Sequence, residues 1–231
     1  MLKVKNKDIV IPGEILAEGM DYVPTKAAYR VGDKIYAYRV GLVEINGRVI
    51  KVIPLSGGYI PTEGDTVIGV IKDILVAGWK VYFGSPYEGV LPIKEAVNEF
   101  VSKGTDLRKY YDIGDIIFTK IITVTSQMLV DLTMKDKGLK KLVGGRIIKI
   151  TPAKVPRVIG KKASMISMLK KATNCKIVVG KNGFIWIDGS PRMEVILEKA
   201  IRIIEEEAHT TGLTERIKEF LEKETNKKIQ I

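Results

Sequence analysis

Val155-Pro156-Arg157-Val158-Ile159-Gly160-Lys161-Lys162-Ala163-Ser164-Met165-Ile166-Ser167-Met168-Leu169-Lys170-Lys171-Ala172-Thr173-Asn174-Cys175 is the stretch around which the chain is organised. An apolar run meets Gly160, two lysines and Ala163. Met165, Met168, Leu169 and Ala172 then recur at i, i+3, i+4 and i+7, the spacing of one buried helical face. Lys161 and Lys162 are therefore expected on a tight turn at a helix N-terminus. There the first N–H groups lack partners and the helix dipole is positive, which favours an anion such as a phosphate. Gly160 lets the backbone come close to that ligand.

The flanks give this stretch its order. Gly145-Arg146-Ile147-Ile148-Lys149-Ile150 reads as a strand and residues 154–159 as a short helix. After the longer helix, Lys176-Ile177-Val178-Val179 and Phe184-Ile185-Trp186-Ile187 flank Asn182-Gly183, a strong hairpin signal. Ser190-Pro191 supplies an N-cap and a first-position proline for a helix carrying Met193, Ile196, Leu197, Ala200 and Ile204 on one face. Strand, helix, loop, helix, strand, strand, helix resembles a type I KH domain, whose G-x-x-G loop clamps the backbone of single-stranded nucleic acid. The resemblance implies phosphate contacts from Lys154, Arg157, Gly160, Lys161, Lys162 and Ala163, with Ile159 and Ile166 flooring a groove for bases. The family's last loop glycine is Ala163 here, whose methyl group disfavours positive φ and fills space near the sugar-phosphate.

Charge converges on the same place. Residues 135–181 hold 14 Lys/Arg and one acid, Asp136, a balance of +13, so the other 184 residues sum to −2 against the total of +11. A basic excess confined to one segment is the footprint of a polyanion binder.

Upstream the chain reads as short strands. In residues 1–60, Leu42-Val43-Glu44-Ile45 and Arg48-Val49-Ile50-Lys51-Val52 flank Asn46-Gly47, which predicts a hairpin within a small all-β module suited to docking. Residues 63–135 read as five strands: Thr66-Val67-Ile68-Gly69-Val70-Ile71, Gly78-Trp79-Lys80-Val81-Tyr82-Phe83-Gly84, Tyr87-Glu88-Gly89-Val90-Leu91-Pro92, Ile116-Ile117-Phe118-Thr119-Lys120-Ile121-Ile122 and Leu129-Val130-Asp131-Leu132-Thr133. Glycine at the turns points to a small closed barrel. Its Gly-Asp pairs at Gly64 and Gly114 and its Glu88-Gly89-Val90-Leu91 stretch resemble an S1-type OB-fold. Such barrels stack bases on exposed aromatics beside cations, so Trp79, Lys80 and Tyr82 are the candidates. Residues 96–111 read as an insertion, with Val97, Phe100 and Val101 spaced for one helical turn, and residues 134–144 as the join to the KH unit. A last helix carries Ile217, Phe220 and Leu221 and ends in Asn226-Lys227-Lys228.

The expected architecture is thus multidomain: an all-β module (1–60), an S1-type OB β-barrel (63–135) and an α/β type I KH domain (145–231). One Cys and one His cannot furnish a disulfide or a Cys/His zinc set. Walker, dinucleotide and H-E-x-x-H motifs are missing, and the carboxylates are scattered. The expectation is a non-catalytic chain with no cofactor. Neither a membrane span nor a signal-peptide pattern is read, so the chain is expected in the cytoplasm.

Taken together, Val10-Ile11-Pro12-Gly13-Glu14, the Gly-Asp strands and Lys154-Val155-Pro156-Arg157-Val158-Ile159-Gly160 resemble the RNA-binding cap subunits of the archaeal exosome over nearly the whole chain. That resemblance implies docking of the first module on a hexameric phosphorolytic ring, in three copies, and delivery of single-stranded RNA to 3′→5′ degradation and tailing sites. Two other readings stand beside it: a structural clamp with a blunted KH loop, and a transcription elongation factor of the Nus type. A single KH unit of type I order argues against the second.

Overall fold

The computed structural model describes residues 1–99, 101–102, 104–210 and 212–225. Phe100 and the basic tail Asn226-Lys227-Lys228 lie outside them. The chain separates into two compact units, residues 1–57 and 58–231.

Unit 1 is all β. Its strands are β1 (Ile9–Val10), β2 (Ile15–Glu18), β3 (Val23–Thr25), β4 (Ala28–Val31), β5 (Lys34–Ala37), β6 (Gly41–Asn46) and β7 (Val49–Pro54). They form a four-stranded sheet ordered β1-β6-β7-β3 and a three-stranded sheet ordered β2-β5-β4. The Asn46-Gly47 pair turns β6 into β7 with Asn46 opposite Val49, as the sequence predicts. Leu16, Ile35, Val43, Ile50 and Val52 are among the side chains that fill the core.

Unit 2 opens with a barrel of β8 (Thr66–Leu75), β9 (Gly78–Tyr82), β10 (Gly89–Pro92), β11 (Ile116–Val124) and β12 (Val130–Thr133). β12 closes it by pairing in parallel with β10 and antiparallel with β11. The short helix α1 (Ile93–Ala96) follows β10. Residues 97–99 are not helical. The insertion covers the barrel end: Val97, Val101, Tyr110 and Tyr111 pack against its core and Leu107 is buried in it.

The expected join at 134–144 is a correction. Within it lies β13 (Lys140–Leu142), which pairs with Ile116, Ile117 and Phe118 of β11. β12 pairs with β11 only from Lys120 onward. The two short strands thus take successive halves of one strand edge, and the chain leaves the barrel as part of its sheet.

The KH unit follows in the expected order: β14 (Arg146–Lys149), α2 (Val155–Ile159), α3 (Ser164–Thr173), β15 (Lys176–Val179), β16 (Phe184–Asp188) and α4 (Pro191–Glu206), with sheet order β14-β16-β15. α5 (Leu213–Thr225) buries Ile217 and Leu221 in the same core as α3 and α4. Ser190 holds the N-cap position of α4 without a side-chain cap bond; the Glu194 carboxylate instead accepts from the Gly189 N–H at 2.9 Å. The fold is therefore an all-β module, an OB-like barrel and a KH domain.

Barrel and KH unit share a second core. β16 turns Ile185 and Ile187 toward the helices and Phe184 and Trp186 toward the barrel, where they meet Ile68 and Leu142, with Ile116, Phe118, Ile147 and Val178 around them. The β15–β16 turn fastens the seam. Asn182, 2% exposed, accepts from the Ile68 N–H at 3.2 Å and donates to the Ile68 and Phe83 carbonyls at 2.8 and 2.7 Å. Beside it the Lys181 ammonium meets Asp65 at 2.7 Å, and Tyr59 donates its hydroxyl to the same carboxylate at 2.8 Å. Burial and then that bond push the Tyr59 phenol far above its ordinary value. Gly84 is required where it stands: at φ +76°, an added Cβ would lie 2.7 Å from the Phe184 ring.

Candidate nucleic-acid interface

α2 and α3 are joined by Gly160 and one 3-10 turn, Lys161–Ala163. A Cβ on Gly160 would fall 2.6 Å from both the Met165 Cβ and its backbone nitrogen, and φ is +76°. Only glycine fits where the two helices come this close. Lys162 (φ 51°, ψ 35°) and Ala163 (φ 62°, ψ 23°) then occupy the left-handed region in succession. Lys161, Lys162 and Ala163 are all exposed. α3 starts without a side-chain cap, so its first-turn N–H donors face no protein acceptor from the N-cap side chain. Two lysines at the positive end of a ten-residue helix form a surface fit for phosphate.

The loop keeps its left-handed geometry in spite of the Ala163 methyl group, at an energetic cost. A non-glycine residue in this region loses roughly 1–2 kcal/mol, against which glycine's extra unfolded-state entropy returns roughly 0.5–1 kcal/mol. Ala163→Gly is therefore expected to stabilise unit 2 by about 0.5–1 kcal/mol, a rise of a few degrees in its thermal unfolding midpoint. A fall in that midpoint would show that the methyl group makes a favourable contact instead.

The other KH candidates surround this loop in sequence and structure. Arg157 is exposed on α2, and Lys154 is half-buried at its start. Among the described residues no carboxylate lies within ion-pair distance of Lys154, Arg157, Lys161 or Lys162, in contrast to Lys120, Lys141, Lys176 and Lys181, which all have partners. Ile159 and Ile166 are half-buried and pack on the edge of the helical core, leaving apolar surface beside the loop. Sequence reasoning missed how α2 is held. Glu205 of α4 accepts from both the N–H and the hydroxyl of Thr151, at 2.6 and 2.9 Å, and Arg202 donates to the Lys149 carbonyl at 2.9 Å. Burial alone would raise the Glu205 carboxyl, but the Thr151 bonds and Arg202 outweigh it and hold it below the usual carboxylate range. The strap is thus complete at neutral pH. It is lost only as pH falls through that depressed value, because protonation removes the acceptor.

On the barrel the candidates divide. Trp79 is a correction: it is fully buried in the barrel core, its ring edge-on to Tyr110 and Tyr111, and its Nε1 donates to the Tyr111 carbonyl at 2.8 Å. It offers no face to a base. The strand's own period held the signal, since Trp79 shares its parity with the core residues Val81 and Phe83. Lys80 and Tyr82 do face outward. Tyr82 is 39% exposed, its ring 6.4 Å from that of Phe184, so an accessible aromatic borders the seam between barrel and KH unit. The Lys80 ammonium is bound to Glu88, as is that of Lys72. Among the described residues no hydrogen bond, ion pair or ring contact links this barrel group to the KH loop, and no cluster of His, Cys, Asp and Glu could hold a metal ion.

Residues 7–56 match the family described as the exosome RNA-binding protein RRP4 N-terminal domain, and residues 145–193 match the KH domain. The exosome complex component Rrp4 of Methanothermus fervidus is 50% identical over 222 residues, covering 96% of this chain and 98% of that protein. The protein of the same name from Pyrococcus abyssi is 46% identical over 222 residues, covering 94% of this chain and 83% of its own. A crystal structure assigned to an exosome complex RNA-binding protein superposes with a TM-score of 0.68 at 39% identity, covering 74% of this chain and 98% of that one.

Proposed function

We propose a function from the premise that this chain belongs to the Rrp4 family of exosome complex components: it is an RNA-binding, non-catalytic cap subunit that captures single-stranded RNA for the catalytic subunits of that complex. The observation that carries the reading is the KH loop. Four cations, Lys154, Arg157, Lys161 and Lys162, are free of carboxylate partners among the described residues and cluster at and before an uncapped helix start. Ile159 and Ile166 border the bases, and Tyr82 is a stacking surface on the barrel. Gly160 and Ala163 shape the backbone that approaches the phosphates.

Unit 1 supports the docking half of the proposal. It carries Met1, Ile9, Ile11, Met20, Val23, Tyr29 and Val31 among its exposed large apolar side chains, apolar surface available to a partner. We take that surface to seat residues 1–60 on a hexameric ring of phosphorolytic subunits, three copies to a ring, while residues 63–135 and 145–231 guide RNA toward degradation and tailing in the ring, in the cytoplasm. No described helix is long and apolar enough to cross a membrane.

The test is binding of a fluorescent single-stranded RNA to the whole chain across a salt series, alone and with the ring subunits. Each phosphate neutralised on a single strand contributes a log–log slope of about −0.7. A steep negative slope supports capture through phosphates. Binding that ignores salt, or a chain that binds RNA neither alone nor with the ring, would sink the reading.

A further inference from the structure

The outward face of β9 carries an arrangement that the KH loop lacks. Lys72 and Lys80 converge on one carboxylate: Lys72 meets one oxygen of Glu88 at 2.9 Å, and Lys80 binds the other. The Lys72 ammonium also stands 5.9 Å from the centroid of the exposed Tyr82 ring. Two cations focused on a single anionic group beside an open aromatic face is the arrangement that a nucleotide needs, with phosphate on the lysines and base on the ring. Here a side chain of the protein holds the anion's place.

We propose that Glu88 is an internal competitor for RNA phosphate, occupying the Lys72–Lys80 site beside Tyr82 until single-stranded RNA displaces it. The inference rests on the RNA-binding reading above and deepens it by naming a phosphate subsite and the residue that attenuates it. Lys72, Lys80 and Glu88 all lie at the surface, with side chains 60%, 41% and 27% exposed, so the pairs are cheap to exchange. Asp73 stands opposite Lys80 in the strand register and acts on its charge, so two carboxylates balance the two lysines and the cluster turns net positive only when Glu88 loses its charge. The hydrogen bond from Lys80, and then that from Lys72, hold the Glu88 carboxyl below its ordinary range, so it is anionic at neutral pH and competes there as a charged group. The consequence is a weakened grip on the barrel, suited to a strand that must be passed along rather than retained.

Unit 1 supplies an internal control. Glu18 also bridges two lysines, Lys3 at 3.2 Å and Lys34 at 3.8 Å. Among the described residues neither Lys3 nor Lys34 stands over an aromatic ring, so that cluster has no cation–ring pair. Glu18→Gln therefore changes net charge by the same amount as Glu88→Gln without opening such a site.

The experiment measures single-stranded RNA affinity of the full chain, Glu88→Gln, Glu18→Gln, and Glu88→Gln combined with Lys72→Ala and Lys80→Ala, over one salt series. One additional phosphate contact at about 0.1 M salt corresponds to about a 5-fold gain in affinity and a slope steeper by about 0.7. Glu88→Gln is expected to show that gain, Glu18→Gln not, and the triple variant to lose it. Tightening of Glu88→Gln against a wild type too weak to measure gives the same support. An unchanged or weakened Glu88→Gln beside a wild type that binds overturns the subsite while leaving the RNA-binding reading intact, and so does an equal gain in Glu18→Gln. If no variant binds RNA at any salt, the function and the subsite fall together.

Discussion

Lys161→Asp combined with Lys162→Asp is expected to remove nearly all single-stranded RNA affinity from the intact chain while leaving its thermal unfolding close to that of the parent. Both side chains are exposed and, among the described residues, neither has an ion-pair partner. Loss of two phosphate contacts at about 0.1 M salt costs about 25-fold in affinity, since each contributes about 5-fold at that concentration. Two carboxylates at the mouth of the loop then add repulsion of the next phosphate, which carries the total toward about 100-fold. Folding is spared for a local reason. Lys162 sits at φ 51°, and Asp enters the left-handed region more readily than most residues, because its short side chain bonds to nearby backbone. Anisotropy with labelled RNA and a thermal melt, measured on the same preparation, separate the two effects. Affinity within about 3-fold of the parent would move the RNA to the barrel and leave the KH unit as scaffold. A neutral pair, Lys161→Gln with Lys162→Gln, should lie between, near the 25-fold loss from contacts alone.

The parts of the molecule that could be read from the chain are those whose cause is local. The α3 face at Met165, Met168, Leu169 and Ala172, the Asn182-Gly183 turn and the Pro191 helix start each follow from a few neighbouring residues, and all lie in the expected order. The family to which the chain belongs was legible by the same route. What escaped depended on distant partners. The three residues of β13, two of them lysines, carry no strand pattern; they are a strand because the first half of the β11 edge is open to them. Trp79 reads as a stacking candidate because it is an aromatic beside Lys80, whereas the alternation through Val81 and Phe83 turns it inward. Glu88 looked like part of a barrel consensus, and only the fold brings Lys72 and Lys80 to its two oxygens. The seam between barrel and KH unit did leave a trace. Phe184-Ile185-Trp186-Ile187 has no polar alternation, as a strand buried on both faces requires. With the helices on one side, something had to cover the other.

That cover is fastened by one side chain, so Asn182 substitutions are expected to have the largest effect on stability. β9 pairs with β8 from Leu75–Gly78 to Val70–Tyr82, and beyond that point the Asn182 carboxamide reaches the backbone of Ile68 and Phe83. It takes the part of a peptide group beyond the end of the β8–β9 pairing, accepting one bond and donating two where a backbone peptide could donate only one. Asn182→Ala withdraws all three bonds in a site where water does not substitute freely, and a buried polar group left unmet costs about 1–3 kcal/mol. Allowing for relaxation of the turn, unit 2 should lose about 3–5 kcal/mol, and its thermal midpoint about 10 °C or more. Asn182→Asp distinguishes bonding from mere filling of space. The carboxylate keeps the volume and the bond from the Ile68 N–H but sets a second oxygen, carrying charge, against two carbonyls, so it is expected to be worse than alanine. If shape alone mattered, the near-isosteric Asp would be the milder change. Amide exchange at Ile68 gives the local readout, because its N–H is protected through Asn182; exchange there should rise in both variants before unit 1 responds, since unit 1 has a core of its own. The same variants bear on function. Tyr82 and Phe184 meet across this seam, and the KH loop belongs to the unit that Phe184 anchors. A chain whose seam has loosened should hold each RNA contact at its former strength yet bind a strand long enough to span both surfaces more weakly, because the two sites no longer keep a fixed spacing. Short RNA bound as well as before, with long RNA weakened, is the expected pair of results; equal losses on both would mean that the KH unit itself had unfolded.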